Sequence, residues 1–388
     1  MNLPDVLSYA DIAQLQTIAT HARIDVTSNS KHDLMQRLLR DMQHPRWWRE
    51  QTEALAAAEK RFWQLLLLDS RDTFNVEELV GKGRQALAGK EGNPRTLVAQ
   101  AMRAGLLFPC VSRTDRSLYR VPRDVQTYVV RALRDGLLSR AVHTEQPAAY
   151  RDEQLLFVHD LVTFLTYVGQ NDVRLTAGSA IYRRDLQALL AQMHVSEQPI
   201  VKTRWRFGFG RRYHQYPDRF SLLYDYAYYR GYIAELEQML ALTVSLREGQ
   251  LAVETEAERV YNFWLRLYRK AIPTLPLIVK WLYVLAREEW VLLAKVRPHF
   301  REWLTPFYYM SADDLLALVV KMLVHLGVIR LGFTQQLTVP DGSLPTTESL
   351  TPTAPDDAFV RMTDYGSAWV ARSAGWDLRE LDSRFTTV

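Results

Sequence analysis

The chain has 388 residues, 48% of them apolar and 24% charged, which is enough for two or three globular domains with cores of their own. Its 48 basic and 44 acidic residues leave a formal charge of only +4, which excludes a histone-like polycation and confines any basic footprint to local patches. The single cysteine, Cys110, excludes an internal disulfide and argues against a zinc ribbon or an iron–sulfur site.

No signal-like segment opens the chain, so a cytoplasmic protein is expected. The most apolar run, 275–296, is interrupted by Lys280, Arg287, Glu288, Glu289 and Lys295, which suits a buried amphipathic helix better than a membrane span. Residues 8–42 read as helix, extended link, helix. Ile12, Leu15, Ile18 and Ala19 give the first helix its apolar stripe, and Leu34, Leu38 and Leu39 the second. Ser30 with Asp33 forms a capping box at the start of the second helix. This pattern resembles the SAP-like DNA-binding hairpin, and the resemblance implies contacts from Lys31 and His32. A plain docking hairpin has the same pattern.

A helix follows over roughly 50–68. Asn75 and Glu78 then cap a helix over 76–87, a glycine-rich turn covers 89–93, and Pro94 opens a helix ending at Gly105. Residues 106–108 and 118–121 read as strands around a turn at 111–117. That order is expected of a winged helix-turn-helix, with 95–104 as the recognition helix. Between Pro94 and Asp124 lie Arg95, Arg103, Arg113, Arg116, Arg120 and Arg123 against Asp115 and Asp124, a local surplus of four charges. Arg95, Arg103, Arg113 and Arg116 are the candidate phosphate contacts here; winged helices also serve as protein docks.

A second module starts near Gln154, with helices over 155–168 and 181–193 joined through a turn at 176–179. The segment 201–219, VKTRWRFGFGRRYHQYPDR, follows. It sets Lys202, Arg204, Arg206, Arg211, Arg212 and Arg219 against one acid, Asp218, and interleaves Trp205, Phe207, Phe209, Tyr213 and Tyr216. Cations attract phosphates and flat rings stack on bases, so Lys202, Arg204, Arg206, Arg211 and Arg212 with Trp205 or Tyr213 form a candidate nucleic-acid site. The same residues could instead cover a core with their stems and rings. One or two helices are expected over 218–240, and a hairpin over 242–253 around Gly249 as a second wing. A helical connector is expected over 256–303, broken at Pro273, Pro276 and Pro298. Ser311 with Asp314 caps a last helix ended by Gly327. Strands at 328–333 and 359–362 then flank a Pro-, Thr- and Ser-rich insert, 334–357, before a short helix from 365.

Three phrases resemble a bacterial helicase-associated family: LYRVPRDVQ (118–126), RLTAGSAIYRRDLQ (174–187) and FVRMTDYGSAWV (359–370). Their order and spacing follow that family over most of 55–372. The resemblance implies winged-helix modules like the N-terminal region of XPB-type DNA helicases, DNA binding, a role in repair or transcription, and partnership with such a helicase; no helicase motor is present in the sequence.

Chemistry leaves fewer marks. The nearest approach to a phosphate-binding loop, 83–91, has the wrong glycine spacing and Glu91 where a hydroxyl is needed. No HExxH, nucleophile elbow or CxxC pair occurs, and no cofactor or metal is expected. The expectation is a mainly α protein with small β-hairpin wings. It comprises a SAP-like hairpin (1–44), winged-helix modules at 45–150, 151–255 and 311–388, and a helical connector at 256–310. The expected function is non-catalytic DNA binding, to duplex or single strand. A protein scaffold that docks a helicase or polymerase is the alternative, and a metal-dependent nuclease a third.

Overall fold

A computed structural model describes residues 1–24, 30–110, 118–139, 143–144, 146–200, 206–243, 251–333 and 358–374. Among them the chain is mainly helical, with sixteen helices and three small antiparallel sheets. It forms two compact units, one of Met1–Arg140 with Ala371–Val388, the other of Ala141–Val370. No helix among the described residues is long and apolar enough to cross a membrane.

The first unit opens with a short helix, α1 (Leu3–Tyr9), absent from the sequence reading. It is tied down from far along the chain, because the Leu3 amide donates to both Asp124 carboxylate oxygens at 2.8 and 3.0 Å. Helices α2 (Ile12–His21) and α3 (Lys31–Met42) bury the apolar stripes read from the sequence, and the Ser30 hydroxyl accepts the Asp33 amide. The expected helix at 50–68 is two: α4 (Pro45–Ala54) and α5 (Ala57–Leu67). Leu55 and Ala56 are extended between them, and the freed Ala56 amide donates to the Glu59 carboxylate at 2.9 Å. Trp48 and Trp63, both buried, meet edge-to-face at 6.3 Å.

Strand β1 (Thr73–Asn75) runs directly into α6 (Val76–Leu87), where the full Asn75–Glu78 capping box satisfies the first turn. Helix α7 (Pro94–Arg103) starts on its proline with Asn93 as cap. Strands β2 (Phe108–Pro109) and β3 (Leu118–Arg120) complete a sheet of order β1-β3-β2. A long helix, α8 (Arg123–Leu138), follows; it buries Val125, Val129 and Leu133 against α4 and α5 and was not anticipated.

In the second unit, β4 (His143–Thr144) and β5 (Ala149–Arg151) lead into α9 (Leu156–Gln170). The 176–179 turn is present, with Leu175 and Ile181 bridged across it, and α10 (Arg183–Leu190) follows. The stretch 218–240 departs from expectation. Helix α11 (Asp218–Tyr229) stops, and β6 (Ile233–Leu236) pairs with β7 (Met239–Leu242). The hairpin therefore precedes the one expected at 242–253, where residues 244–250 lie outside the described ones and Val253 begins α12 (Val253–Tyr268). Its turn residues, Glu237 and Gln238, have φ of 40° and 71°. A two-residue hairpin turn needs such positive values, and glycine or asparagine usually supplies them. With neither present, the turn left no mark in the sequence.

The expected connector also differs. After α13 (Leu275–Ala286), Trp290–Leu292 is a strand, β8, followed by α14 (Leu293–Arg301). Pro298 lies inside α14 instead of ending it; the helix is held by burying Val296, His299 and Phe300. Then come α15 (Ala312–His325), with its Ser311–Asp314 box, β9 (Ile329–Phe333), β10 (Ala358–Met362) and α16 (Asp364–Ala374). Gly327, at φ 67°, turns the chain out of α15 where a β-carbon would collide with the Gln154 carbonyl. The sheet order is β4-β8-β10-β9-β5, all antiparallel, so β10 lies between its two chain predecessors as β3 does in the first unit. The expected insert at 334–357 lies outside the described residues.

Candidate nucleic-acid interface

Over its described residues, 206–219, the central basic segment turns inward. Lys202, Arg204 and Trp205 lie outside the described residues. Arg206 donates to the carbonyls of Tyr213 (3.4 Å) and Tyr216 (3.1 Å), pairs with Asp218, and sits 4.6 Å from the centre of the Tyr213 ring. Lys321 of α15 takes the other Asp218 oxygen at 2.8 Å. Burial opposes the Asp218 charge, but Lys321 and Arg206 beside it pull the carboxyl down to about 2. Arg211 and Arg212 converge on Glu235 of β6 at 3.4 and 2.7 Å, and Arg211 also lies 3.9 Å over the Tyr228 ring. Tyr213 is buried, its hydroxyl donating to the Phe207 carbonyl and, at 3.1 Å, to Asp218. Its ring faces protein, not solvent.

Arg219 goes deepest. Its guanidinium meets Asp160 of α9 at 2.5 Å and Glu153 at 3.4 Å, and all three side chains are at most 3% exposed. Glu153 also contacts His325 (3.0 Å) and Arg151 (2.7 Å). Burial resists its charge, yet His325, Arg219 and Arg151 together hold its carboxyl far below the usual range. Glu197 accepts the Arg219 and Phe220 amides at 3.0 and 2.8 Å, closing the first turn of α11. In the described part of the segment, the cations and rings fasten α11 to α9, α15 and β6. Such a segment looks like a binding strip in sequence because its counter-charges come from other elements.

The arginines of the first unit are disposed differently. Arg95 and Arg103 stand exposed on α7, opposite its buried Leu97 and Ala101, and neither has an ion pair among the described residues. Arg123, at the start of α8, is likewise exposed. Arg120 pairs with Asp72 at 3.6 Å. Arg113 and Arg116 lie outside the described residues. Asp124, one of the two local acids, is spent on the Leu3 amide, and its burial raises its pKa. Lys31 is exposed, with its ammonium donating to the Ser8 carbonyl at 2.8 Å.

Two pockets merit comparison. One, of about 540 Å³ in the first unit, sets Arg23 and His21 against Glu50 and Glu59 and so has little surplus charge. The other, of about 500 Å³, lies between α11 and α12 and is lined by Arg230, Arg259, Arg266 and Arg269. No reading of the sequence singled out these four. The available signal was the 7- and 3-residue spacing of Arg259, Arg266 and Arg269 along one helix. Among the described residues no group of three or more His, Cys, Asp or Glu side chains could hold a metal ion. The buried carboxylates Glu153 and Asp160 converge on Arg219, not on open space. Compared with known proteins, the chain matches no family model, no curated protein and no solved structure.

Proposed function

We propose that the chain is a non-catalytic DNA-binding protein whose helix–strand–helix–helix–strand–strand blocks are winged helix-turn-helix modules. One observation carries the reading. In the first unit α7 follows α6 and precedes β2 and β3 of a sheet of order β1-β3-β2, and it presents Arg95 and Arg103 to solvent with no carboxylate partner among the described residues. A helix in that position enters the major groove, and exposed arginines supply phosphate and base-edge contacts. The order β8-β10-β9 in the second unit supports a second such block. The SAP-like hairpin of α2 and α3 and an accessory role beside an XPB-type helicase, in repair or transcription, belong to the same proposal.

The test is fluorescence anisotropy with a labelled duplex across a salt series. Each phosphate contact contributes about 0.9 to the log–log slope, so Arg95→Ala/Arg103→Ala should lower it by about 1.8. A variant slope equal to wild type would remove α7 from the interface. A protein-docking scaffold is the second reading, favoured by the 83% and 84% exposure of Tyr308 and Tyr309 between α14 and α15. It predicts no salt-dependent duplex binding at all.

A further inference from the structure

The arginine pocket of the second unit sets four guanidinium groups against a single carboxylate that two of them meet. Arg259, Arg266 and Arg269 fall within roughly 80° of one another around α12 at 3.6 residues per turn. Arg230, the residue that ends α11, closes the pocket from the other side. The carboxylate these arginines meet is Glu256, in the first turn of α12. It lies 2.9 Å from Arg259 and 3.6 Å from Arg230, and it also accepts the Tyr226 and Tyr232 hydroxyls at 2.6 and 2.7 Å. Glu256 is 1% exposed and does not line the pocket, and its charge is taken up by these four contacts. Arg266 contacts a neutral group, the Tyr229 hydroxyl, at 3.2 Å, and the Arg269 side chain has no ion pair among the described residues. A concave site lined by one sign of charge focuses its field on whatever enters and raises the local concentration of anions.

The rim adds an aromatic ring. Tyr229 is 56% exposed, yet its ring is fixed against Phe263 at 4.9 Å and its hydroxyl is held by Arg266. A large ring kept rigid and half bare beside guanidinium groups suits a flat, polar partner. We propose that this pocket binds the backbone of single-stranded nucleic acid, its arginines on successive phosphates and Tyr229 against an unstacked base. Single strand is favoured over duplex on geometry. In a duplex the bases are stacked inside, out of reach of Tyr229, whereas strand-binding sites pair a cationic groove with aromatic platforms. The site is separate from α7 and does not require α7 to touch DNA.

The full chain is titrated by anisotropy with labelled oligothymidine and, separately, with a blunt duplex, each across a salt series. Arg266→Ala/Arg269→Ala should weaken oligothymidine binding at least about tenfold and lower its slope by about 1.4, at about 0.7 per single-strand phosphate. Tyr229→Leu should weaken it about fivefold or more with the slope intact, since stacking is not ionic. Arg269→Lys keeps the charge and should keep the slope, which separates loss of contact from loss of fold. An oligothymidine slope unmoved in Arg266→Ala/Arg269→Ala would overturn the pocket proposal, whereas a duplex slope unmoved in Arg95→Ala/Arg103→Ala would overturn only the α7 reading. Displacement of oligothymidine by inorganic phosphate at equal concentration, with Tyr229→Leu binding as wild type, would also overturn it and leave a site for small anions.

Discussion

Changing Arg219 to methionine removes the cation from between two carboxylates that water barely reaches. Asp160 is fully buried and Glu153 is 3% exposed, and Arg219 lies 2.5 and 3.4 Å from them. Breaking a buried ion pair by removing one partner costs about 3–5 kcal/mol, because the remaining charge stays desolvated and unpaired. Here the lower part of that range applies. Glu153 keeps His325 at 3.0 Å and Arg151 at 2.7 Å, and Asp160 keeps the His194 amide at 2.6 Å. For a unit of this size about 2–4 °C of melting temperature accompanies each kcal/mol, so Arg219→Met should lower the transition by about 6–12 °C. Thermal unfolding followed by circular dichroism would show it. The loss should persist at high salt, since buried pairs are poorly screened. Adding Asp160→Asn to Arg219→Met should restore part of it. A drop under about 2 °C, or one abolished by salt, would refute the view that these charges hold α11 in place.

Further outcomes can be checked by similar means. Burial raises the Asp225 carboxyl to about 6 from 3.8, although the Arg211 amide donates to it at 2.8 Å. The folded chain thus binds an extra proton between those values, and this group's contribution to stability falls as pH rises from about 4 to about 6, by about 3 kcal/mol in all. Asp225→Asn should remove that fall, so denaturant titrations at about pH 4 and about pH 7 should find the variant gaining on wild type only at the higher value. Asn75→Ala deletes the cap of α6 and should cost about 1 kcal/mol, read as a lower denaturant midpoint with unchanged slope. Gly327→Ala must hold φ 67° with its new methyl against the Gln154 carbonyl; a loss of at least about 2 kcal/mol is expected, and a neutral effect would count against the tight exit from α15.

What the sequence disclosed depended on how far each determinant reaches along the chain. The starts of α6, α7 and α15 were legible because Asn75 with Glu78, Pro94, and Ser311 with Asp314 act within one turn. Helix α1 was not, since its anchor, Asp124, is 121 residues away. Strand β8, three residues long, exists through its pairing with β10. The β6–β7 hairpin stayed hidden because its turn uses glutamate and glutamine in a conformation that seldom suits them. For the candidate site the same rule held. The exposed arginines of α7 could be listed from a helix wheel. The inward role of 206–219 could not, because Glu235, Lys321 and Asp160 reach it from other elements.

The short strands β4 and β5 occupy the two outer positions of the five-stranded sheet, around β8, β10 and β9. Bare strand edges invite pairing with another molecule, so these strands act as guards. That bears on dissecting the protein. A fragment beginning at Asp152 would retain every helix from α9 onward yet uncover backbone donors and acceptors along both flanks at once. Two open flanks allow head-to-tail growth without closure, so such a fragment should assemble into filaments or precipitate, while one beginning at Ala141 should stay dispersed.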